Sequence, residues 1–337
     1  MKAVGYKIPG AITEDASFVD IDLPQPVAKG SDILVEVKAV SVNPVDYKIR
    51  SSTPPAEGEW KVLGWDAAGI VREVGPDATQ FAPGDEVYYA GSLIRSGTNA
   101  QFHLVDERIA GRKPASLDWA EAAALPLTTL TAWEAMFDRL DVLKSVPGAA
   151  PAILIIGGAG GVGSIAVQIA RQCTDLTVIS TASRPETRDW VKELGAHHII
   201  DHSKPLAAQI AELGIGAPAF VFSTTHTEQN VADIAELIAP QGRFALIDDP
   251  KIFDVMLFKR KAVSIHHELM FTRSLYGTPD MDEQGKILNA LAALVDDGKI
   301  RTTLTEKLSP INAANMKTVH ALIESGSARG KIVLEGF

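Results

Sequence analysis

Hydrophobic and polar positions alternate with two different rhythms along this chain. From residue 1 to about 125, apolar and charged residues mix at strand spacing, as in Ile33-Leu-Val-Glu-Val-Lys-Ala-Val40 and the glycine-bounded Gly69-Ile-Val-Arg-Glu-Val-Gly75. Pro83-Gly-Asp-Glu-Val-Tyr-Tyr89 reads as a turn leading into a further strand. A compact β-rich unit is predicted. Between residues 117 and 140 the pattern becomes helical, with Pro126 interrupting it, and a domain hinge is expected there.

From Ala152 onward, short unbroken apolar runs alternate with helical stripes, the signature of a doubly wound parallel sheet in an α/β fold. Strands are predicted at 176–180, 198–201, 219–223, 243–248 and 262–267, with a helix at 184–194 stopped by Gly195. With the run before Gly157 this makes six strands, the number in a dinucleotide-binding sheet. The tail, with helices near 284–295 and 313–324 and a strand at 331–335, exceeds what that sheet needs. It is expected to pack back on the N-terminal unit.

The stretch that organises the rest is Ala152-Ile-Leu-Ile-Ile-Gly157-Gly-Ala-Gly-Gly-Val-Gly163. An apolar run without alternation reads as a strand buried on both faces, and Ile165, Val167, Ile169 and Ala170 supply the apolar stripe of a following helix. In that strand, loop and helix context Gly158, Gly160 and Gly163 fit G-x-G-x-x-G: one for the tight turn, one for backbone approach to a pyrophosphate, one for helix–strand packing. The amides at the helix start, Gly161, Val162 and Gly163, then face an anion. A plain strand-to-helix turn would use glycine too; the context favours a dinucleotide.

Composition narrows the partners. A chain of 337 residues suits two domains, and its formal net charge of -10 argues against nucleic acid or an anionic membrane, which call for clustered Lys and Arg. One cysteine, Cys173, excludes an intramolecular disulfide and any multi-cysteine zinc site. Its place on the helix after the glycine loop predicts a buried small hydrophobe. No apolar signal core begins the chain and no run reaches membrane-spanning length, so a cytoplasmic protein is expected.

The end of the second strand discriminates between dinucleotides. An NAD site usually places Asp or Glu there, about twenty residues past the loop, to bind the ribose 2′-hydroxyl. Here the chain reads Ser180-Thr-Ala-Ser-Arg184, with no acid. Ser183 and Arg184, with Arg188 and His202 as neighbours, suit a 2′-phosphate, and NADP(H) is favoured. Ser183-Arg-Pro-Glu186 is also a capping box, a role compatible with the first, and Arg184 reads equally as a solvated charge.

Val42-Asn-Pro-Val-Asp-Tyr-Lys-Ile-Arg50, Gly64-Trp-Asp-Ala-Ala-Gly69, Pro83-Gly-Asp-Glu86, Ala122-Ala-Ala-Leu-Pro126 and the glycine loop occur in one order, and in this the chain resembles the medium-chain dehydrogenase/reductase superfamily. It is most similar to the zinc-free quinone oxidoreductase branch, in a group often labelled zinc-type alcohol dehydrogenase-like. The resemblance implies a GroES-like catalytic domain from residues 1–127 and 268–337, around a Rossmann NADP-binding domain at 128–267. It also implies a homodimer. Where zinc alcohol dehydrogenases place a ligand cysteine and a ligand histidine, this chain has Asn43-Pro-Val-Asp46 and Gly64-Trp65-Asp66, so neither zinc site of that family can be built and no zinc is expected. The pairs His197-His198 and His266-His267, and the single His103, His226 and His320, are read as surface or core histidines.

Without a Lewis acid, worth roughly several kcal/mol to a developing alkoxide, simple alcohol oxidation loses support. A small-molecule quinone or α,β-unsaturated carbonyl spreads its own charge and needs proximity and modest polarisation. The resemblance places Asn43, Asp46 and an aromatic hydroxyl two positions further on beside the nicotinamide; that position is Lys48 here, with Tyr47 one earlier. It also places Thr131, Leu246 and Ile247 in the nicotinamide pocket, and Phe271-Thr-Arg273 is a candidate for closing the substrate side. The leading expectation is an NADPH-dependent quinone or enone reductase. The alternatives are a zinc-dependent alcohol dehydrogenase with unusual ligands and a non-catalytic NADPH-binding or sensor protein.

Overall fold

A strand that is apolar along its whole length needs cover on both faces, and Ala150–Ile156 obtains it at the centre of a parallel sheet, where its residues from Ala152 onward are essentially inaccessible. The computed structural model describes all of residues 1–337, and the chain divides into two units: Met1–Leu130 with Phe271–Phe337, and Thr131–Met270.

In Thr131–Met270 six parallel strands lie in the order His198–Ile200, Thr177–Thr181, Ala150–Ile156, Pro218–Ser223, Arg243–Leu246, Ser264–His267. Numbered by sequence this is 3-2-1-4-5-6, the doubly wound dinucleotide-binding order. Helices Gly161–Cys173, Pro185–Glu193, Leu206–Glu212 and Thr227–Leu237 supply the crossovers. Leu154, Ile156, Val221, Phe244, Leu246 and Ile234 share one continuous core.

The other unit is built on Asp32–Ser41, which pairs antiparallel with Asp66–Val74, Phe102–Asp106 and Lys331–Glu335. The chain's last strand thus closes onto its first large sheet, as expected of the tail, with Val333 opposite Ser41. Along Asp32–Ser41 the half-buried Glu36 and Lys38 alternate with buried Val35, Val37 and Ala39, which is why that stretch reads as a mixed strand. The α/β fold is therefore a Rossmann doubly wound sheet plus a separate β-rich unit.

Local differences from the sequence reading have local causes. The fifth strand ends at Leu246 and not at 248, because Asp248 turns to cap the helix Thr227–Leu237, accepting from Thr227 N at 2.9 Å. The sixth begins at Ser264 and not at 262, because Ala262 takes φ +50 to end the 3₁₀ helix Val255–Lys261. Cys173 is half-buried and not fully buried, since it is the last residue of its helix, after the exposed Arg171 and Gln172. No helix is long and apolar enough to cross a membrane.

Candidate active site

The glycine loop at the end of the central strand uses its glycines for different purposes. A Cβ on Gly158 would lie 1.7 Å from Ser180 Oγ, and one on Gly163 would lie 2.1 Å from Gly157 O, so both are demanded by packing. A Cβ on Gly160 would meet only Gly157 O, at 3.5 Å. Nothing in the chain requires glycine there. Space is kept free in front of Gly160, and that space is what a pyrophosphate approaching the backbone needs.

Gly160 is also the N-cap of Gly161–Cys173, and no side chain caps that helix. The amides of Gly161, Val162 and Gly163 are the first-turn donors an α-helix cannot satisfy itself, and they carry the positive end of its dipole. Gly161 and Val162 are only half-buried. The loop is held by the second strand: Thr181 Oγ1 accepts from Gly157 N at 2.9 Å and Thr181 O from Gly158 N at 3.2 Å. Trp190 Nε1 donates to Ser164 Oγ at 2.8 Å, fixing the helix start from the neighbouring helix. The residues fit a dinucleotide diphosphate.

Beyond the second strand, Ser183 is half-buried and Arg184 exposed, with Arg184 Nε 3.2 Å from Glu186 Oε1. The capping box expected of Ser183 and Glu186 does not form. Pro185 fixes the first helical position, so Arg184 becomes the N-cap and Ser183 stands one residue outside. Arg188 turns inward, its guanidinium donating to Ala182 O and Ile199 O at 3.2 and 3.3 Å, and braces the ends of two strands. His202 gathers with Arg184 and with His226: partial burial pushes its imidazole below the usual range, Asp201 opposes this, and His226 and Arg184 add to it. His226 holds φ +55 before its helix and meets Thr225 Oγ1 at 2.8 Å. Its place in this rim could not be read from the sequence, where it is read as a surface or core histidine.

Thr131 is buried in the helix Pro126–Trp133; Leu246 is fully buried in the sheet core; Ile247 is half-buried just past its strand. Leu246 and Ile247 stand at the carboxyl ends of the strands, the same end as the glycine loop.

In Met1–Leu130 with Phe271–Phe337 the first motif forms a buried ionic cluster. Asn43 caps the helix Pro44–Ser52 in a capping box with Asp46, whose Oδ2 accepts from Asn43 N at 2.7 Å and whose Oδ1 accepts from Gly64 N at 3.0 Å. Asp66 accepts from Asn43 Nδ2 at 2.8 Å, Leu127 N at 2.7 Å and Lys331 Nζ at 3.2 Å. Lys331 also donates to Val42 O and to Asn43 Oδ1. Asn43, Asp46, Asp66 and Lys331 are each 3% exposed or less. Burial pushes Asp46 up to about 7 and raises Asp66, against the pull of Lys331, while burial lowers Lys331. The next two candidates differ: Tyr47 is half-buried and Lys48 exposed. Sequence reasoning missed Lys331 and gave Asp66 no structural role; the one signal was a lysine opening a strand whose next three residues, Ile332, Val333 and Leu334, are apolar.

The donor set of this unit does not suit zinc. Trp65 offers only an indole N–H, which is buried and donates to Ser92 O at 3.1 Å, and its ring meets Phe271 edge-on at 6.0 Å. Asp66 is enclosed by the three donors already named. No group of three His, Cys, Asp or Glu side chains is placed to share an ion. His103 bonds Tyr89 and Ser96, His197 accepts from Val178 N, and His320 packs edge-on to Phe18. Arg273 pairs with Asp280 at 3.0 Å.

This doubly wound sheet with an open glycine loop, joined in one chain to a β-rich unit, defines a dehydrogenase/reductase, and the chain belongs to the medium-chain dehydrogenase/reductase superfamily, in its zinc-free quinone oxidoreductase-like branch. It is an oxidoreductase. Residues 29–126 match the alcohol dehydrogenase GroES-like domain and residues 161–289 the zinc-binding dehydrogenase domain. The chain is 38% identical over 339 residues, 99% of either chain, to a zinc-type alcohol dehydrogenase-like protein of Staphylococcus aureus strain MSSA476. It is 30% identical to the mitochondrial NAD(P)H oxidoreductase RTN4IP1 of Homo sapiens, over 90% of this chain and 81% of that one. A crystal structure from Rhizobium etli CFN 42, assigned as a zinc-dependent alcohol dehydrogenase, is 76% identical with a TM-score of 0.99, covering 100% of this chain and 98% of that one.

Proposed function

We propose that this protein is an NADPH-dependent reductase of quinones or α,β-unsaturated carbonyls that works without a catalytic metal. The observation that carries the proposal is the uncapped helix start beneath Gly160, with free space where a side chain would otherwise sit. The amides of Gly161, Val162 and Gly163 bind the diphosphate, Gly158 and Gly163 let the loop close, and Ser183, Arg184 and His202 receive the 2′-phosphate, with His226 beside them. The absence of an acid after Thr181 removes the group that would repel that phosphate. A relative named as an NAD(P)H oxidoreductase supports the nicotinamide chemistry.

Bound nicotinamide supplies hydride, which a quinone or the β-carbon of an enone accepts to leave a hydroquinone or enolate anion in need of a proton. Thr131, Leu246 and Ile247 form the apolar wall for the ring. Because Asn43 and Asp46 are spent on the buried cluster, we give them a supporting role and assign contact with the substrate to Tyr47 and Lys48, whose side chains reach solvent. The donor set rules the unusual-ligand zinc enzyme below this reading, since the Trp65 indole N–H can only donate and the Asp66 carboxylate is already enclosed by Asn43, Leu127 N and Lys331.

The assembly proposed is a homodimer, supported by the exposed Ile252, Val255, Met256 and Leu257 in the segment that precedes the edge strand Ser264–His267. Stopped-flow oxidation of NADPH against quinones, enones and aldehydes tests the function. Turnover of quinones or enones with little on aldehydes is expected; tight NADPH binding with no oxidation across the panel would favour a sensor instead.

A further inference from the structure

Away from the glycine loop, Thr131–Met270 buries two acids together. Glu134 is fully buried and opens the π-helical turn Glu134–Arg139; Glu268 is 5% exposed and follows the last strand. Arg139 Nε donates to Glu268 Oε2 at 2.8 Å, and Glu134 is near enough for its charge to act on Glu268, whose Oε1 is buried without a hydrogen-bond partner. Two buried carboxylates side by side with one guanidinium repel each other when both are charged, so the pair favours holding one proton. The i→i+5 register of the turn, seen in Leu140 N bonding Ala135 O at 2.9 Å, brings Arg139 to the face that Glu134 occupies.

The location gives the cluster a purpose. Glu134 lies one turn after Thr131, and Glu268 N donates to Leu246 O at 3.1 Å. The π-helical turn packs against both strands Arg243–Leu246 and Ser264–His267, and Glu268 stands just past the carboxyl end of the latter, the end at which doubly wound sheets bind ligands. A buried ionic cluster is poor value for stability alone, since apolar residues of the same volume usually pack as well or better. What it provides is a fixed, directional connection.

We propose that Glu134 and Glu268 are positioning residues: a proton-sharing acid pair that clamps the turn after Thr131 to the strand end at Leu246 and so sets the wall against which the nicotinamide rests. This deepens the functional reading above and rests on it. With one proton the cluster is neutral, one carboxylate against Arg139. Losing that proton leaves two buried carboxylates facing one guanidinium. Burial first, then Glu134, pushes Glu268 up to about 8, with Arg139 opposing. The surrounding charges cannot take up the excess: His266 is held below its usual range by burial and by Arg139 and Arg243, and Arg243 is bonded to Leu140 O and Asp141 O.

The test is NADPH binding by fluorescence titration, with KM and kcat measured separately, from pH 6 to 9.5 in the wild type, E134Q, E268Q and E268A. The wild type should lose affinity about tenfold per pH unit above about pH 8, with KM moving more than kcat. E268A should bind weakly at every pH. E134Q and E268Q, whose amides donate without titrating, should restore the pH 7 affinity that E268A loses and flatten the alkaline fall. An alkaline fall unchanged in both glutamine variants, or E268Q as weak as E268A at pH 7, overturns the proposal. Should the wild type bind no NADPH at any pH, the functional reading falls as well; normal binding with an unmoved profile removes the acid pair alone.

Discussion

The buried cluster of one unit and the glycine loop of the other both hold groups able to do chemistry, and they use them in opposite ways. Asn43, Asp46, Asp66 and Lys331 are sealed from solvent and bonded to one another or to backbone amides. The amides of Gly161 and Val162 and the rim of Arg184, His202 and His226 reach solvent, with no side chain capping the helix. A polar group whose partners are all supplied by its own chain holds structure together. One left open at the positive end of a helix is prepared for an anion.

The strongest way to break this contrast is Lys331→Met. It leaves Asp66 buried without its cation, and removing one partner of a buried pair costs about 3–5 kcal/mol. Chemical denaturation should register that loss, and the double variant Lys331→Met with Asp66→Asn should recover part of it. A loss under 1 kcal/mol would mean that the cluster is not structural.

Arg184→Ala sharpens the other half. Its guanidinium is exposed and its ion pair with Glu186 lies at the surface, so stability should barely change. NADPH affinity should fall about tenfold or more, the worth of a charge-assisted hydrogen bond to phosphate, with NADH nearly unaffected. Equal losses for both would refute the 2′-phosphate assignment. His226→Ala should give the smallest effect, about twofold to threefold on NADPH and none on NADH, because His226 acts on the rim through His202 and Arg184.

How far the sequence reached follows from how local each signal was. Ala152–Ile156 and the helix after it were legible because a strand covered on both faces and a helix covered on one leave period-specific apolar patterns. Asp248 and Ala262 shortened their strands through partners elsewhere in the fold, a cap and a helix end, which periodicity does not carry. Ser183-Arg-Pro-Glu186 satisfies the capping-box pattern, yet Pro185 sets a different helix start. Lys331 finds Asp66 and Asn43 265 and 288 positions away, and Glu134 meets Glu268 across the sheet edge. Such pairings exist only once the chain has folded.

The central claim concerns the space in front of Gly160, and one substitution addresses it without disturbing the fold. A Cβ there is compatible with the backbone, at φ -73° and ψ 176°, and touches only Gly157 O at 3.5 Å. NADPH fluorescence titration of the wild type and Gly160→Ala, alongside their thermal melts, is the direct measurement. The account predicts saturable binding of NADPH by the wild type, and in Gly160→Ala an unchanged melting temperature with binding reduced by about two orders of magnitude or lost, as for a residue that must let the backbone meet a pyrophosphate. Wild-type affinity in Gly160→Ala would contradict it.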